Sequence, residues 1–83
     1  MLTVRFFSMI RETLDTESLQ IDWAPSLADV ESLKSVLSSR GATWADTLNE
    51  TSVIAAVNQQ VVSADHPLAD GDEVAFFPPM TGG

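Results

Sequence analysis

The sequence predicts an α+β domain in which one mixed β-sheet has one main helix packed across one face. Two alternating segments open the chain, a helical segment follows, and alternating segments return before the end, which gives the order ββαβ(β)β. The 83 residues suffice for one small core, and the 45% hydrophobic content is typical of globular proteins. We therefore expect a single domain over residues 1–83, with residues 78–83 as its tail.

The first two strands are predicted from alternating side chains. In LTVRFFSM, Leu2, Val4 and Phe6 share one face, and Phe7 lies on the other. The polar segment RETLDTES that follows predicts a turn, and LQIDW alternates again as a second strand. Together these segments predict an opening hairpin.

The main helix is predicted after Pro25. Ser26 has the position of an N-cap, apolar residues then recur at helical intervals, and Gly41 supplies the stop. A short helix or helical turn is expected in TWADTLNE, with Trp44 and Leu48 on one face.

The closing strands are predicted from three segments. SVIAAVNQQVV contains two short strands around a turn at residues 58–60, SADHPLADGDE is a loop, and EVAFFPP is the last strand, ended by prolines. The turn lacks the frequent Asn-Gly pair, so its type stays open.

An aromatic patch is predicted on the uncovered face of the sheet. First and last strands of such domains commonly lie side by side in the middle of the sheet. If Phe6 and Phe76 face the core, then Phe7 and Phe77 are exposed together on the opposite face, beside residues 78–80. A patch of this kind favours a partner-binding surface, although either ring can instead be partly buried at a sheet edge.

Charge and composition exclude several classes of function. Twelve acidic residues against four basic ones give a net charge of −8, so we expect neither nucleic acid nor a membrane as partner. The absence of Cys and the single His66 leave no thiolate nucleophile and no set of metal ligands. Arg5 and Arg11 interrupt the apolar start, which is unlike a signal peptide, so we expect a cytoplasmic protein.

The tail has the features of a segment that enters the active site of another protein. Gly82 and Gly83 have no Cβ and can pass a narrow channel, and Pro78 and Pro79 stiffen the approach to it. The carboxylate of Gly83 would then be the delivered group, unreactive as an electrophile until its oxygen joins a leaving group such as an acyl-adenylate. The alternative is a frayed terminus of small residues.

Three segments resemble one known family. VRFFSMIRET, AAVNQQVV and HPLADGDEVAFFPPMTGG are similar to the small subunit of molybdopterin synthase, the MoaD family of ubiquitin-like sulfur carriers. The resemblance covers essentially the whole chain, and it implies the ubiquitin-like β-grasp fold. The sequence departs from the family pattern at LDTES and at NQQ, where a glycine is frequent, and at Met80, where valine is usual.

The resemblance also implies a reaction sequence. An activating enzyme similar to MoeB adenylates the terminal carboxylate with ATP and Mg, so the chain itself would bind no cofactor. A sulfur donor protein then converts the acyl-adenylate to a thiocarboxylate. A large subunit similar to MoaE uses this sulfur on cyclic pyranopterin monophosphate, in a heterotetramer of two small and two large subunits.

The same resemblance assigns roles to residues of this chain, which would be non-catalytic alone. Gly83 carries the sulfur, and Gly82 and Thr81 give passage into the partner. The docking residues for both partners are Phe7, Phe77, Pro78, Pro79 and Met80, with Arg11 as a polar contact at the rim. We expect the tail to be mobile in the free chain and ordered in the complex.

The sequence leaves open three alternatives to a role as the small subunit of molybdopterin synthase. The same tail occurs in carriers of sulfur for thiazole or cysteine synthesis. It also occurs in ubiquitin-like modifiers that are attached to lysines. The third alternative is an interaction module whose tail is chemically inert.

Overall fold

The computed structural model describes residues 1–79, and it has the α+β architecture predicted from the sequence. The described elements are β1 (Leu2–Phe6), α1 (Ser8–Leu14), β2 (Ser18–Ile21), α2 (Val30–Ser38), α3 (Ala42–Leu48), β3 (Ile54–Val57), β4 (Gln60–Val62) and β5 (Glu73–Phe77). The site residues Met80, Thr81, Gly82 and Gly83, and with them the expected mobility of the tail, lie outside the described residues.

The five strands form one mixed sheet in the order β2-β1-β5-β3-β4. β1 and β5 are central and parallel, with Val4 opposite Val74 and Phe6 opposite Phe76. The other neighbouring pairs, β1 with β2, β3 with β5 and β3 with β4, are antiparallel. The predicted ubiquitin-like β-grasp fold is therefore confirmed, including the adjacency of the first and last strands.

The core lies between one face of the sheet and the helices. Alternate residues of the two central strands are fully buried because they face the helices, as the alternating pattern predicts. Fully buried residues include Leu2, Val4, Val74 and Phe76 from the strands, Val30, Leu33 and Leu37 from α2, and Leu48 from α3. The residues between them in β1, Thr3 and Arg5, are on the opposite face.

The region after β1 differs from the sequence prediction. β1 ends at Phe6, and residues predicted as the end of that strand and as a turn form α1. Ile10 and Leu14 are buried and four residues apart, which is one turn of a helix. The prediction was wrong because only two buried apolar residues mark this helix, and the polar residues between them are typical of a turn as well.

Both ends of α2 differ from the prediction. The N-cap is Asp29, not Ser26, and its carboxylate accepts a 2.8 Å hydrogen bond from the backbone N–H of Ser32. This hydrogen bond lowers the pKa of Asp29. α2 ends at Ser38, and Gly41 is the residue before α3 and not a stop for α2.

The turn between β3 and β4 has a strained residue. Asn58 and Gln59 both have positive φ, 50° and 71°, as a two-residue type I′ hairpin turn requires. Asparagine tolerates this conformation, whereas glutamine has no such preference. The two strands predicted around this turn are confirmed.

Gln59→Gly is therefore expected to stabilise the protein by about 0.5–1 kcal/mol, since glycine adopts positive φ without steric cost. The measurement is the urea concentration at the midpoint of unfolding. Gln60→Gly, one residue later and inside β4, is the matched control and should destabilise the protein. If both substitutions shifted the midpoint in the same direction, the strain at Gln59 would be refuted.

Candidate functional site

The two aromatic side chains singled out from the sequence lie against each other. The rings of Phe7 and Phe77 stack with centroids 4.7 Å apart and planes 9° from parallel. The parallel register that sets Phe6 opposite Phe76 brings the next residue of each chain segment together as well. Both side chains are half-buried rather than exposed, because each ring covers part of the other.

The backbone around Phe7 holds its ring in place. Its N–H donates a 3.2 Å hydrogen bond to the carbonyl oxygen of Phe76, and its own carbonyl accepts a 3.2 Å bond from the N–H of Ile10. Ser8, directly after it, has φ +54° in the left-handed region and turns the chain from β1 into α1. Phe7 is therefore fixed from both sides.

A shallow depression surrounds the aromatic pair on the uncovered face of the sheet. We call this surface the aromatic face: Arg5, Phe7, Ala56, Gln59, Val61, Glu73, Ala75 and Phe77. Val61 in β4 is 70% exposed, although it is apolar. Arg5 and Glu73 form an exposed 3.0 Å ion pair, which adds little stability but puts a polar boundary around the apolar centre. An apolar centre with a polar rim is the usual composition of a protein interface.

The last described residues continue from this surface. Pro78 is half-buried and Pro79 is exposed, directly after β5. Neither proline has an N–H to donate to a neighbouring strand, so β5 cannot extend through them. The tail thus begins at the end of a central strand and next to the aromatic pair.

Arg11 lies one helical turn after Phe7, and its N–H donates a 3.5 Å hydrogen bond to the carbonyl oxygen of Phe7. It is exposed on α1 and is not among the side chains that form the aromatic face. Within residues 1–79 its guanidinium forms no salt bridge with a carboxylate. This leaves it available at the surface, and its role as a rim contact stays a prediction.

Sequence reasoning missed a polar cluster that fixes the start of β5. The Asn58 side chain donates a 2.9 Å hydrogen bond to Asp72 Oδ1 and accepts a 3.0 Å bond from the N–H of Glu73. Asp72 Oδ2 accepts a 2.9 Å bond from the N–H of Ala69. These bonds tie the β3–β4 turn to β5 and so help to set the direction of the strand that leads into the tail. The available signal was the asparagine at the first position of a two-residue hairpin turn.

The described chain has few other groups capable of chemistry. Among residues 1–79, no three His, Asp or Glu side chains lie close enough together to hold a metal ion. His66 is half-buried in the loop before β5, where its carbonyl accepts a hydrogen bond from the N–H of Val30. No helix in this part of the chain is long and apolar enough to cross a membrane.

Two proteins named "Molybdopterin synthase sulfur carrier subunit" are similar to this chain over its whole length. The one from Escherichia coli is 46% identical over 83 residues, which are 100% of both chains. The one from Haemophilus influenzae is 35% identical over 83 residues, again 100% of both. The segment DGDEVAFFPP and the two terminal glycines lie within both matches.

A solved structure of a complex contains a similar fold. It is described as the protein–protein complex of subunit 1 and 2 of the molybdopterin-converting factor from Helicobacter pylori. The matching chain is 25% identical, with a TM-score of 0.68, and the match covers 99% of this chain and 97% of that one. The family model described as "ThiS family" matches residues 4–83. This match, with the full-length relative at 46% identity, shows that the chain belongs to the ThiS family.

Proposed function

We propose that this protein is the sulfur carrier subunit of a molybdopterin synthase and acts in molybdenum cofactor biosynthesis. The observation that carries the proposal is the 46% identity, over all 83 residues, to a relative of that name. The β-grasp fold supports it, because its last central strand leads directly into the tail.

The proposed reaction begins at the carboxylate of Gly83. An adenylating enzyme similar to MoeB, using ATP and Mg, joins this carboxylate to AMP, and pyrophosphate leaves. A sulfur donor protein supplies a sulfide equivalent that attacks the acyl carbon and displaces AMP, which gives a thiocarboxylate. The bare backbone of Gly82 and the small Thr81 let this end reach a buried site.

In the synthase, the thiocarboxylate sulfur attacks cyclic pyranopterin monophosphate. Water then hydrolyses the resulting acyl–sulfur bond, which leaves the sulfur on the pterin and returns the Gly83 carboxylate. Two such transfers supply both sulfurs of the dithiolene. A thiocarboxylate is anionic at neutral pH, so the carrier needs no base of its own to form the nucleophile. The acid–base groups therefore belong to the partner. We propose that the chain binds no cofactor itself and acts in the cytoplasm, where ATP is available to its activating enzyme.

The docking surface of the proposal is the aromatic face together with Pro78, Pro79, Met80 and Arg11. It would serve the large subunit, similar to MoaE, and the activating enzyme in turn, and two carriers and two large subunits would form a heterotetramer. The stacked, half-buried aromatic pair supports this role because large aromatic side chains dominate the energetics of interfaces. The net charge of −8 favours partners that are basic around a phosphate-binding site.

A reconstituted synthase tests the proposed acceptor. The thiocarboxylated chain is mixed with the large subunit and cyclic pyranopterin monophosphate, and the two-sulfur product is followed by mass spectrometry. We expect two molecules of carrier to lose sulfur for each product formed. The parallel reaction with a thiazole synthase in place of the large subunit is the control, and sulfur transfer there but not to the pyranopterin would contradict the proposal.

A further inference from the structure

A groove between α1 and α3 opens beside the point where the chain leaves the sheet. Its apolar wall consists of Met9, Ile10, Val53, Pro78 and Pro79. It encloses about 440 Å³, which is at the small end of the range of ligand pockets and has room for one or two side chains. None of the residues that line this groove belongs to the aromatic face.

The groove has an apolar side chain exposed at its rim. Met9 is 69% exposed, whereas its neighbour Ile10 is buried. Methionine is flexible and polarisable, so it adapts to the shape of an incoming apolar group. An exposed methionine at the edge of an apolar groove favours contact with another protein.

The opposite wall of the groove is acidic. Asp46 and Glu50 are four residues apart, at the end of α3 and just beyond it, and both are exposed. None of the residues that line the groove is a lysine or an arginine. With the chain's net charge of −8, this wall attracts a cationic group rather than an anionic one.

The short segment after Pro79 limits the distance between the groove and a partner that binds Gly83. Residues 80–83 follow Pro79 in the sequence, and four residues span at most about 14 Å at 3.3–3.6 Å per extended residue. That distance is close to the radius of gyration of a 100-residue domain, about 13 Å. A protein that takes Gly83 into a cleft must therefore bring its surface to Pro78 and Pro79. At that position it is within reach of the groove, which both prolines line, and of the aromatic face at Phe77.

We propose that the groove between α1 and α3 is a second contact site for the large subunit. Its occupant is an apolar side chain of that subunit with a lysine or arginine beside it, the apolar part against Met9 and the cation against Asp46 and Glu50. This inference rests on the proposed function, because the large subunit is the protein that takes the tail during sulfur transfer.

Titration of the full-length chain with the purified large subunit, by calorimetry, tests the site. Three variants change the groove. Met9→Ala removes the side chain at the rim, and Thr13→Arg fills the groove from an exposed position on α1. The double variant Asp46→Asn, Glu50→Gln removes the negative charge of the acidic wall. Each should raise Kd at least ten-fold. The effect of the acidic pair should shrink in ~1 M salt, where charges further apart than about 3 Å are screened.

Matched controls are available on α2, away from the groove. Val36→Ala removes an exposed apolar side chain and Glu31→Gln removes an exposed charge. Both should leave Kd within two-fold of the wild type. Far-ultraviolet circular dichroism of every variant checks that the fold is kept.

Three results would overturn the proposal while the proposed function stands. The groove variants could bind like the wild type. They could bind more tightly, which would mean that the groove holds the chain's own tail. They could slow only the adenylation step, which would assign the groove to the activating enzyme. A wild-type chain that does not bind the large subunit at all would overturn the proposed function as well.

Discussion

Phe77→Ala is expected to weaken binding to the large subunit by roughly 30-fold, about 2 kcal/mol. The ring stacks on Phe7 at the centre of the aromatic face, and the substitution removes its contact with Phe7 and, in the proposed complex, with the large subunit. Phe77 is only half-buried in the free chain, so the fold should remain stable. Titration calorimetry of the full-length variant with the large subunit gives the change in Kd.

A double-mutant cycle separates the contribution of the stacked pair to binding from the contributions of Phe7 and Phe77 taken singly. Phe7→Ala should have a similar effect, and the double variant should lose less than the sum of the two, because the first substitution already removes the stack. Val36→Ala on α2 is the control for a lost apolar side chain. If Phe77→Ala bound with unchanged Kd, the aromatic face would not be the docking surface.

Phe76→Ala, one residue earlier, is expected to cost about 3–5 kcal/mol of the free energy of unfolding. Phe76 is fully buried and stacks on Phe6, with ring centroids 6.0 Å apart. A domain of this size is stable by about 5 kcal/mol or somewhat more, so the variant should keep only a small part of that free energy and unfold at a much lower urea concentration. The measurement is the urea concentration at the midpoint of unfolding, with tryptophan fluorescence as the signal.

The stability of the Phe77→Ala variant is the control for this prediction. Phe77→Ala should shift the urea midpoint by far less than Phe76→Ala, since only one of the two rings is in the core. Equal losses of stability would mean that the two faces of β5 are not divided between core and partner.

The strands could be predicted from the sequence because their alternation is continuous. Leu2, Val4 and Phe6, and later Val74 and Phe76, are spaced by two, and the structure buries all five. The neighbouring positions of β1 and β5 then followed from the order of elements. The same alternation set Phe7 and Phe77 on one face, though it could not show that the rings stack and so are half-buried.

The helices were predicted less well because their signals are weaker or not local. α1 is short, has two buried residues, and begins at a serine with positive φ that no sequence pattern indicates. The start of α2 was misplaced because Ser26 and Asp29 are both good N-caps, and only Asp29 accepts the Ser32 N–H. The predicted stop at Gly41 was wrong because that glycine precedes another helix.

Part of the candidate site could not be predicted because it depends on distant parts of the chain. The bonds of Asn58 to Asp72 and Glu73 join segments about 15 residues apart, a spacing that no local pattern signals. The groove between α1 and α3 also requires α1, a segment whose polar residues predict a turn. Residues 80–83, the reactive end of the proposal, lie outside the described structure, so their roles depend on the sequence and the relatives.

The most direct test of the proposed function is the intact mass of the chain after activation. The purified protein is incubated with ATP, Mg, the activating enzyme and a sulfide source, and the chain lacking Gly83 is treated in parallel. We expect the wild-type mass to rise by the difference between one sulfur and one oxygen, about 16 Da, and the shortened chain to be unchanged. An unchanged wild-type mass, with the same enzyme shown to be active on another carrier, would contradict the assignment of this chain as a sulfur carrier.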